Sequence, residues 1–566
     1  MAIWETELRP QLLHQMQANE WDVLIIGGGI TGAGILLDAV SRGLKAALIE
    51  MQDFAAGTSN RSTKLIHGGL RYLKQLEIGL VAEVGRERAV VYENAPHVTR
   101  PEWMLLPLME GGTYGKLAAS FGIRLYDYLA GVKRTERRQM LSREEALAKE
   151  PLLNPDGLKG AGYYVEYRTD DARLTLEVLK KAVQLGGVAI NYCKALQLIK
   201  ENGQLLGIHV QDELQPHHSF DIRARVIINA TGPWVDEIRD WDHSKQGKTL
   251  HWTKGVHIVV DASRFPLSNP VYFDVPDGRM IFAIPRSGKT YIGTTDTNYT
   301  GDVMYPRMTL ADRDYLLEAV NTMFPSVRLL PEDVESSWAG IRPLIHEDGK
   351  NPSEISRKDE IFQSSSGLIT IAGGKLTGYR KMAEKVVDIV VQRIGQVTGQ
   401  TYPGCQTEHL RLSGGEFHQS SEWDDFVHTM TREGELLGLS SQEARQLVER
   451  YGKNVERVFN WLRNEPLDAG LAIPKDIYAA LQYGLEEEMV CRAEDFFIRR
   501  TGSLYFNMNL VLSYQHSVVD FMAKRLQWSD DRVLEEKQRL QDRILEAREA
   551  LEKPVEKALS TAASAL

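Results

Sequence analysis

Gly27, Gly29 and Gly32 stand in the G-x-G-x-x-G register, a spacing whose chemistry is the binding of a pyrophosphate. The first glycine permits a tight turn, the second lets backbone approach the phosphates, and the third allows a helix to pack close to the strand behind it. Residues 23–26 precede the turn as a continuous apolar run, the pattern of a parallel strand covered on both faces. After the turn, Ala33, Ile35, Leu36, Ala39 and Val40 form the buried stripe of a helix, and Gly43 stands where a left-handed terminator belongs. The unpaired N–H groups and dipole of that helix N-terminus favour an anion. A second strand over residues 46–49 ends in Glu50, at the distance where an acid reaches a ribose hydroxyl pair; a carboxylate there disfavours a 2′-phosphate. Without a ligand the turn would be an uncompensated entropic cost of three consecutive glycines.

The elements that must hold this site recur along the chain. The polar loop 57–64 carries Thr58, Ser59 and Ser62, hydroxyls that either cap a helix or line a cofactor's phosphates and polyol chain. Residues 225–230 are another buried strand running into Thr231 and Gly232, placed to return to the sheet of the first turn. Residues 368–372 are a third, ending in Gly373-Gly374. Lys375, Leu376 and Thr377 then open a helix whose N-terminus is predicted to point at the cofactor. Between these returns, residues 256–260, 271–273, 280–285 and 290–294 are short β-rich runs, with Ser287-Gly288-Lys289 as a hairpin turn. Residues 171–185 are predicted as a helix, as are residues 485–500. Ser440 with Glu443 forms a capping box for a helix that Gly452 terminates. Trp4, Leu8, Leu12 and Met16 suggest a short packed arm beginning near Pro10.

A chain of 566 residues is too long for one core. A net charge of −10 argues against a general nucleic-acid binder, although a local basic pocket can still serve a phosphorylated substrate. Three cysteines without a C-x-x-C encode neither a disulfide framework nor a zinc site, and no metal is called for. The N-terminus lacks a secretory h-region and no apolar run approaches a spanning helix, so the expectation is a cytosolic or peripheral protein.

The run Ser62-Thr63-Lys64-Leu65-Ile66-His67-Gly68-Gly69-Leu70-Arg71-Tyr72-Leu73 resembles the signature of the FAD-dependent glycerol-3-phosphate dehydrogenases of the aerobic respiratory type. Asn229–Trp234, Lys254–Val260, Ile292–Asp296, Gly340–Leu344 and Gly373–Lys381 match later family segments in the expected order, with Val256 and Gly378 as minor departures. The resemblance covers about the first 400 residues. It implies an α/β fold with a Rossmann-like FAD-binding domain (residues 1–95, 166–250 and 363–398), an inserted antiparallel β-sheet substrate domain (96–165 and 251–362) and an α-helical C-terminal domain (399–566). The late strand returns, which a nicotinamide domain does not need, favour FAD over NAD.

The implied reaction oxidises sn-glycerol 3-phosphate to dihydroxyacetone phosphate by hydride transfer from C2 to flavin N5, with electrons passing to a quinone. The closest alternative is an oxidase using oxygen, a reading opposed by the lack of an insertion; a flavin-binding scaffold or RNA-modification protein is a more distant one. The resemblance makes His257 the base. Arg71, Arg342 and Lys375 contact substrate, with Tyr72 and Thr295 as weaker candidates, and Arg342 is biased to an extended backbone by Pro343. His67 either approaches the flavin or satisfies the turn at Gly68-Gly69, and Gly69 joins the cofactor contacts. The implied partners are glycerol 3-phosphate, a membrane quinone and the inner face of the cell membrane, and dimerisation is an expectation for the helical domain. Leu117, Phe121, Leu125 and Leu129 with Lys133, Arg134, Arg137 and Arg138 are compatible with either an interfacial helix or an ordinary packed one.

Overall fold

A computed structural model describes residues 4–66, 78–112, 137–347, 358–464 and 472–553. Two sheets carry the chain. The first has at its centre the strand Glu20–Ile26, paired in parallel with Ala46–Ile49 on one side and with Ser219–Asn229 on the other. Ile369–Ala372 continues the parallel order beyond Ser219–Asn229, and Val188–Ile190 continues it beyond Ala46–Ile49. Both glycine-bearing returns expected from the sequence therefore join the sheet of the first turn.

The alternation along the central strand explains its apolar run. Val23 and Ile25 pack with the helices Ile30–Ser41, Asp171–Gln184 and Tyr379–Thr398. Leu24 and Ile26 pack on the opposite face, against an antiparallel layer built from Cys193–Glu201, Gln204–Asp212 and the first half of Ser219–Asn229. Asp170 starts the Asp171–Gln184 helix by accepting the Arg173 N–H at 3.0 Å. The N-terminal arm is a helix, Arg9–Ala18, with Pro10 in its first turn, where a missing N–H costs nothing.

The second sheet is largely antiparallel. Its longest pairing joins Lys248–Asp261 to Val334–Glu347, and Lys289–Gly293, Met280–Arg286 and Val271–Asp274 follow on the other side of Lys248–Asp261. Ser287 and Gly288 take φ of +52° and +77°, as a tight hairpin turn requires. Thr99–Met109 and Leu158–Thr169 extend this sheet. The domain limits expected at 165/166, 250/251 and 362/363 fall inside strands: Leu158–Thr169, Lys248–Asp261 and Glu360–Gln363 are each continuous across them, and Glu360–Gln363 pairs within the first sheet. Composition changes between the domains, but the backbone ladder does not break there.

The C-terminal part is helical. Ser440 and Glu443 close a capping box ahead of Ser441–Tyr451, which Gly452 ends at φ +55°. The single helix expected over 485–500 is two pieces: Lys475–Glu487 stops, and a wide-turn helix begins at Asp495. The break follows from charge burial. Glu488 turns inward to ion-pair with Arg173 and Lys180, and Met489 adopts φ +47°. Among the described residues, no helix is long and apolar enough to cross a membrane. Residues 117–134 of the basic amphipathic stretch lie outside the described residues; Arg137 and Arg138 lie just before the strand Gln139–Leu141.

Candidate active site

A cavity of about 950 Å³ is lined from both sheets, within the range of small-molecule sites. One end is the glycine turn. Gly27 sits at φ +115°, and a Cβ on it would stand 2.4 Å from the Ala230 carbonyl oxygen. A Cβ on Gly32 would stand 1.9 Å from the Gly27 carbonyl oxygen, so this glycine serves helix packing and does not line the cavity. Gly29 does line it, and a Cβ there would meet only Ser59 Oγ, at 3.1 Å. The space in front of Gly29 thus fits the close approach of a phosphate.

Glu50 lines the same end. Its Oε2 accepts the Gly28 N–H at 2.7 Å and its Oε1 accepts the Gln52 N–H at 2.8 Å. Carboxylate oxygens accept more than one hydrogen bond, so ribose hydroxyls can add to these. Burial raises the Glu50 pKa against the lowering effect of both N–H groups.

The loop hydroxyls line the cavity but are tied to protein. Ser59 Oγ accepts the Ile30 N–H at 3.0 Å, Thr58 donates to the Ile341 carbonyl at 2.7 Å, and Ser62 donates to Asp171 at 2.6 Å. Ser59 thus caps the helix Ile30–Ser41, Thr58 and Ser62 tie the loop to neighbouring elements, and all three remain on the cavity wall, where a cofactor's phosphates and polyol chain can pass. Thr231 and Gly232 line the wall where Ser219–Asn229 ends. Gly373, Gly374, Lys375, Leu376 and Thr377 line it where Ile369–Ala372 ends. Gly373 and Gly374 take φ of +72° and +81°, and a Cβ on either would lie 2.5 Å from a neighbouring atom.

The other end is a floor of strand glycines around two functional side chains. His257 faces Trp338 on one neighbouring strand and Gly293 on the other. Its ring stacks on the Trp338 indole with centroids 4.8 Å apart, and a Cβ at Gly293 would stand 2.1 Å from the imidazole. Nε2 is 3.0 Å from Thr63 Oγ1, whereas Nδ1 is buried and has no hydrogen-bond partner among the described residues. Trp338 donates to the Ser62 carbonyl and Tyr291 to the Thr63 carbonyl, so the loop and the sheet hold each other. Burial drives the His257 pKa well below the ordinary value, and the positive charges of Arg342 and Lys64 add to this. The ring is neutral at pH 7.

Arg342 lines the floor beside it, two positions along the strand from Gly340. Its guanidinium donates to Thr294 Oγ1 at 3.1 Å and to Asp296 Oδ1 at 3.2 Å, and a Cβ at Gly255 would collide with it at 2.5 Å. Thr295 is a correction. Its side chain is buried, its hydroxyl accepts the Val256 N–H at 3.0 Å, and it does not line the cavity; Thr294 and Asp296 on either side of it do. Arg71, Tyr72, His67 and Gly69 lie outside the described residues.

Thr63 and Arg61 are among the lining residues that the sequence did not single out. Thr63 stands in the polar run and in the family signature without an assigned role, and its bond to His257 spans 194 positions. Arg61 lines the cavity, donates to the Met304 carbonyl at 3.1 Å and has no carboxylate partner among the described residues; burial lowers its pKa. The strand glycines 255, 293 and 340 were the available signal, since glycine inside a strand often marks a close approach.

Residues 22–380 match the family model described as FAD dependent oxidoreductase, and residues 405–533 match the C-terminal domain of alpha-glycerophosphate oxidase. The chain is 57% identical over 525 residues to the aerobic glycerol-3-phosphate dehydrogenase of Bacillus subtilis, covering 92% of this chain and 94% of that one. It is 52% identical to the protein of that name from Staphylococcus epidermidis, covering 97% and 99%. Among solved structures it is similar to the glycerol-3-phosphate dehydrogenase from Bacillus halodurans complexed with FAD, with a TM-score of 0.84, 47% identity and coverage of 97% and 99%. The L-alpha-glycerophosphate oxidase from Mycoplasma pneumoniae shares the fold at 19% identity and a TM-score of 0.55, covering 70% and 98%.

Proposed function

Because the chain belongs to the FAD-dependent glycerol-3-phosphate dehydrogenases, and so binds FAD, we propose that it oxidises sn-glycerol 3-phosphate to dihydroxyacetone phosphate at the floor of the 950 Å³ cavity. When bound, FAD supplies at N5 the acceptor for the hydride that leaves C2. Gly27, Gly29 and Glu50 at one end, and Gly373, Gly374, Lys375, Leu376 and Thr377 at the other strand end, are the residues that would hold it.

The observation that carries this reading is a neutral, buried imidazole beside an arginine in a cavity that begins at a dinucleotide turn. Hydride can leave C2 only as the C2 hydroxyl loses its proton. His257 takes that proton at Nε2, whose neighbour Thr63 shares the cavity wall. The neutral ring keeps the lone pair that a base needs, and stacking on Trp338 fixes its plane. Arg342 stabilises the negative charge that develops on the C2 oxygen. Lys375 and Arg61 add positive charge for the phosphate, with Arg71 from the family signature that begins at Ser62. His257 is buried away from bulk water, which strengthens the interactions of the imidazole.

The electrons then pass to a quinone, and the chain works at a membrane surface that it meets without a spanning helix among its described residues. Anaerobic mixing with glycerol 3-phosphate is the test: the visible flavin band should bleach and one equivalent of dihydroxyacetone phosphate should form, while glycerol leaves the band unchanged. No bleaching in folded yellow protein would overturn the substrate. Turnover with a soluble quinone and no peroxide in air is the expected acceptor result, and stoichiometric peroxide would contradict it.

A further inference from the structure

Asp53 follows Glu50 by three residues and is fully buried. Two arginines of the C-terminal helical part enclose its carboxylate. Arg500 makes a two-pronged pair with it, Nη1 to Oδ2 at 2.6 Å and Nη2 to Oδ1 at 2.9 Å, and Arg499 Nε reaches Oδ2 at 2.5 Å. Asn191 donates to Oδ1 at 2.9 Å. Burial acts to raise the Asp53 pKa, yet the two guanidinium groups outweigh it and hold the carboxyl at about 2.

The arginines are themselves fixed. Arg500 donates to the Glu488 carbonyl at 2.7 Å, and Arg499 donates to Asp495 at 2.6 Å, which also receives the Tyr192 hydroxyl at 2.6 Å. The two residues after Asp53 lie directly behind the dinucleotide turn. Ala55 N–H donates to the Gly28 carbonyl at 3.0 Å, and Phe54 lies so close that a Cβ on Gly28 would be 2.9 Å from its ring. Gly28 N–H is in turn the donor to Glu50. A continuous line of contacts joins Arg499 and Arg500 to the backbone that meets the pyrophosphate.

We propose that the C-terminal helical domain is a positioning element for the cofactor turn. Arg499 and Arg500 clamp Asp53 so that Phe54 and Ala55 fix Gly28, and affinity for FAD depends on residues 446 and 447 positions away from Asp53. The proposal rests on the reading that the Gly27–Gly29 turn holds FAD. A merely structural ion cluster would affect stability without this linkage.

Coupling between binding and a distant element is reciprocal. Two measurements follow. Arg500→Lys keeps a positive charge but loses the two-pronged geometry, and Asp53→Asn combined with Arg500→Met removes one buried charge of each sign. In apoprotein with a wild-type circular dichroism spectrum, each should weaken FAD binding, read by fluorescence quenching, by about tenfold. Binding within twofold of wild type in either folded variant would overturn the clamp. Amide hydrogen exchange of the wild-type protein needs no variant to fold. Adding FAD to apoprotein should slow exchange at residues 488–500 as well as at 27–32. Protection at 27–32 without protection at 488–500 overturns the clamp alone, and protection at neither overturns the cofactor assignment of the turn together with it.

Discussion

Alanine at Gly29 and alanine at Gly32 should fail in different ways, although both glycines belong to one motif. Gly29 has φ −76° and ψ 178°, a conformation open to any residue, and its Cβ would meet only Ser59 Oγ at 3.1 Å. Gly29→Ala should therefore leave the apoprotein within about 1 kcal/mol of wild type, since the entropic gain of losing a glycine offsets a slight crowding. The methyl group instead occupies the approach of the pyrophosphate. Overpacking by one carbon costs about 1–3 kcal/mol, which weakens FAD binding by about 5- to 150-fold. Gly32→Ala places Cβ 1.9 Å from a backbone oxygen, so the helix must move with or without cofactor. That variant should lose about 1–3 kcal/mol or more in the apoprotein itself. Denaturant unfolding of both apoproteins, followed by FAD titration with fluorescence detection, separates the two effects. Wild-type affinity in Gly29→Ala, or wild-type apoprotein stability in Gly32→Ala, would refute the assignment of roles.

Further outcomes follow from the cavity floor. Alanine at Arg342 or Arg61 should lower kcat/KM for glycerol 3-phosphate by about ten- to a hundredfold each while FAD stays bound, because a charge-assisted hydrogen bond contributes about 1.5–3 kcal/mol; full activity in both would move the substrate elsewhere. Gly293→Ala, whose Cβ would stand 2.1 Å from the imidazole, should slow flavin reduction by displacing His257; an unchanged rate would mean that the ring position is unimportant. His257 and His97 are buried with pKa values well below 6.5, burial being the main cause for both. Below about pH 6.5 the unfolded chain binds protons that the folded chain excludes, so their contribution to stability is full above that pH and is lost as pH falls. Urea midpoints at pH 7.5 and 5.5 check this, and for the same reason the acid limb of kcat/KM should lie below 6.5.

What the sequence made legible and what it hid divide by distance along the chain. The turn at Gly27–Gly32, the Ser440–Glu443 cap and the Ser287-Gly288 hairpin are local, and each took the form its residues require. The break before Asp495 was hidden because Glu488 is drawn out of helix by Arg173, 315 positions earlier. Thr295 was misassigned because motif order does not say which side chain of an extended segment faces the cavity. The Asp53 clamp was hidden in the same way, as an acid near a loop and two arginines near the C-terminus have no periodicity in common.

Rapid anaerobic mixing of His257→Asn with glycerol 3-phosphate tests the central claim most directly. Positioned acid–base catalysis contributes about 10²–10⁴-fold, so yellow, folded variant should bleach slower than wild type by about that factor while its substrate affinity is largely kept. A reduction rate within a few-fold of wild type would contradict the account and remove His257 as the base.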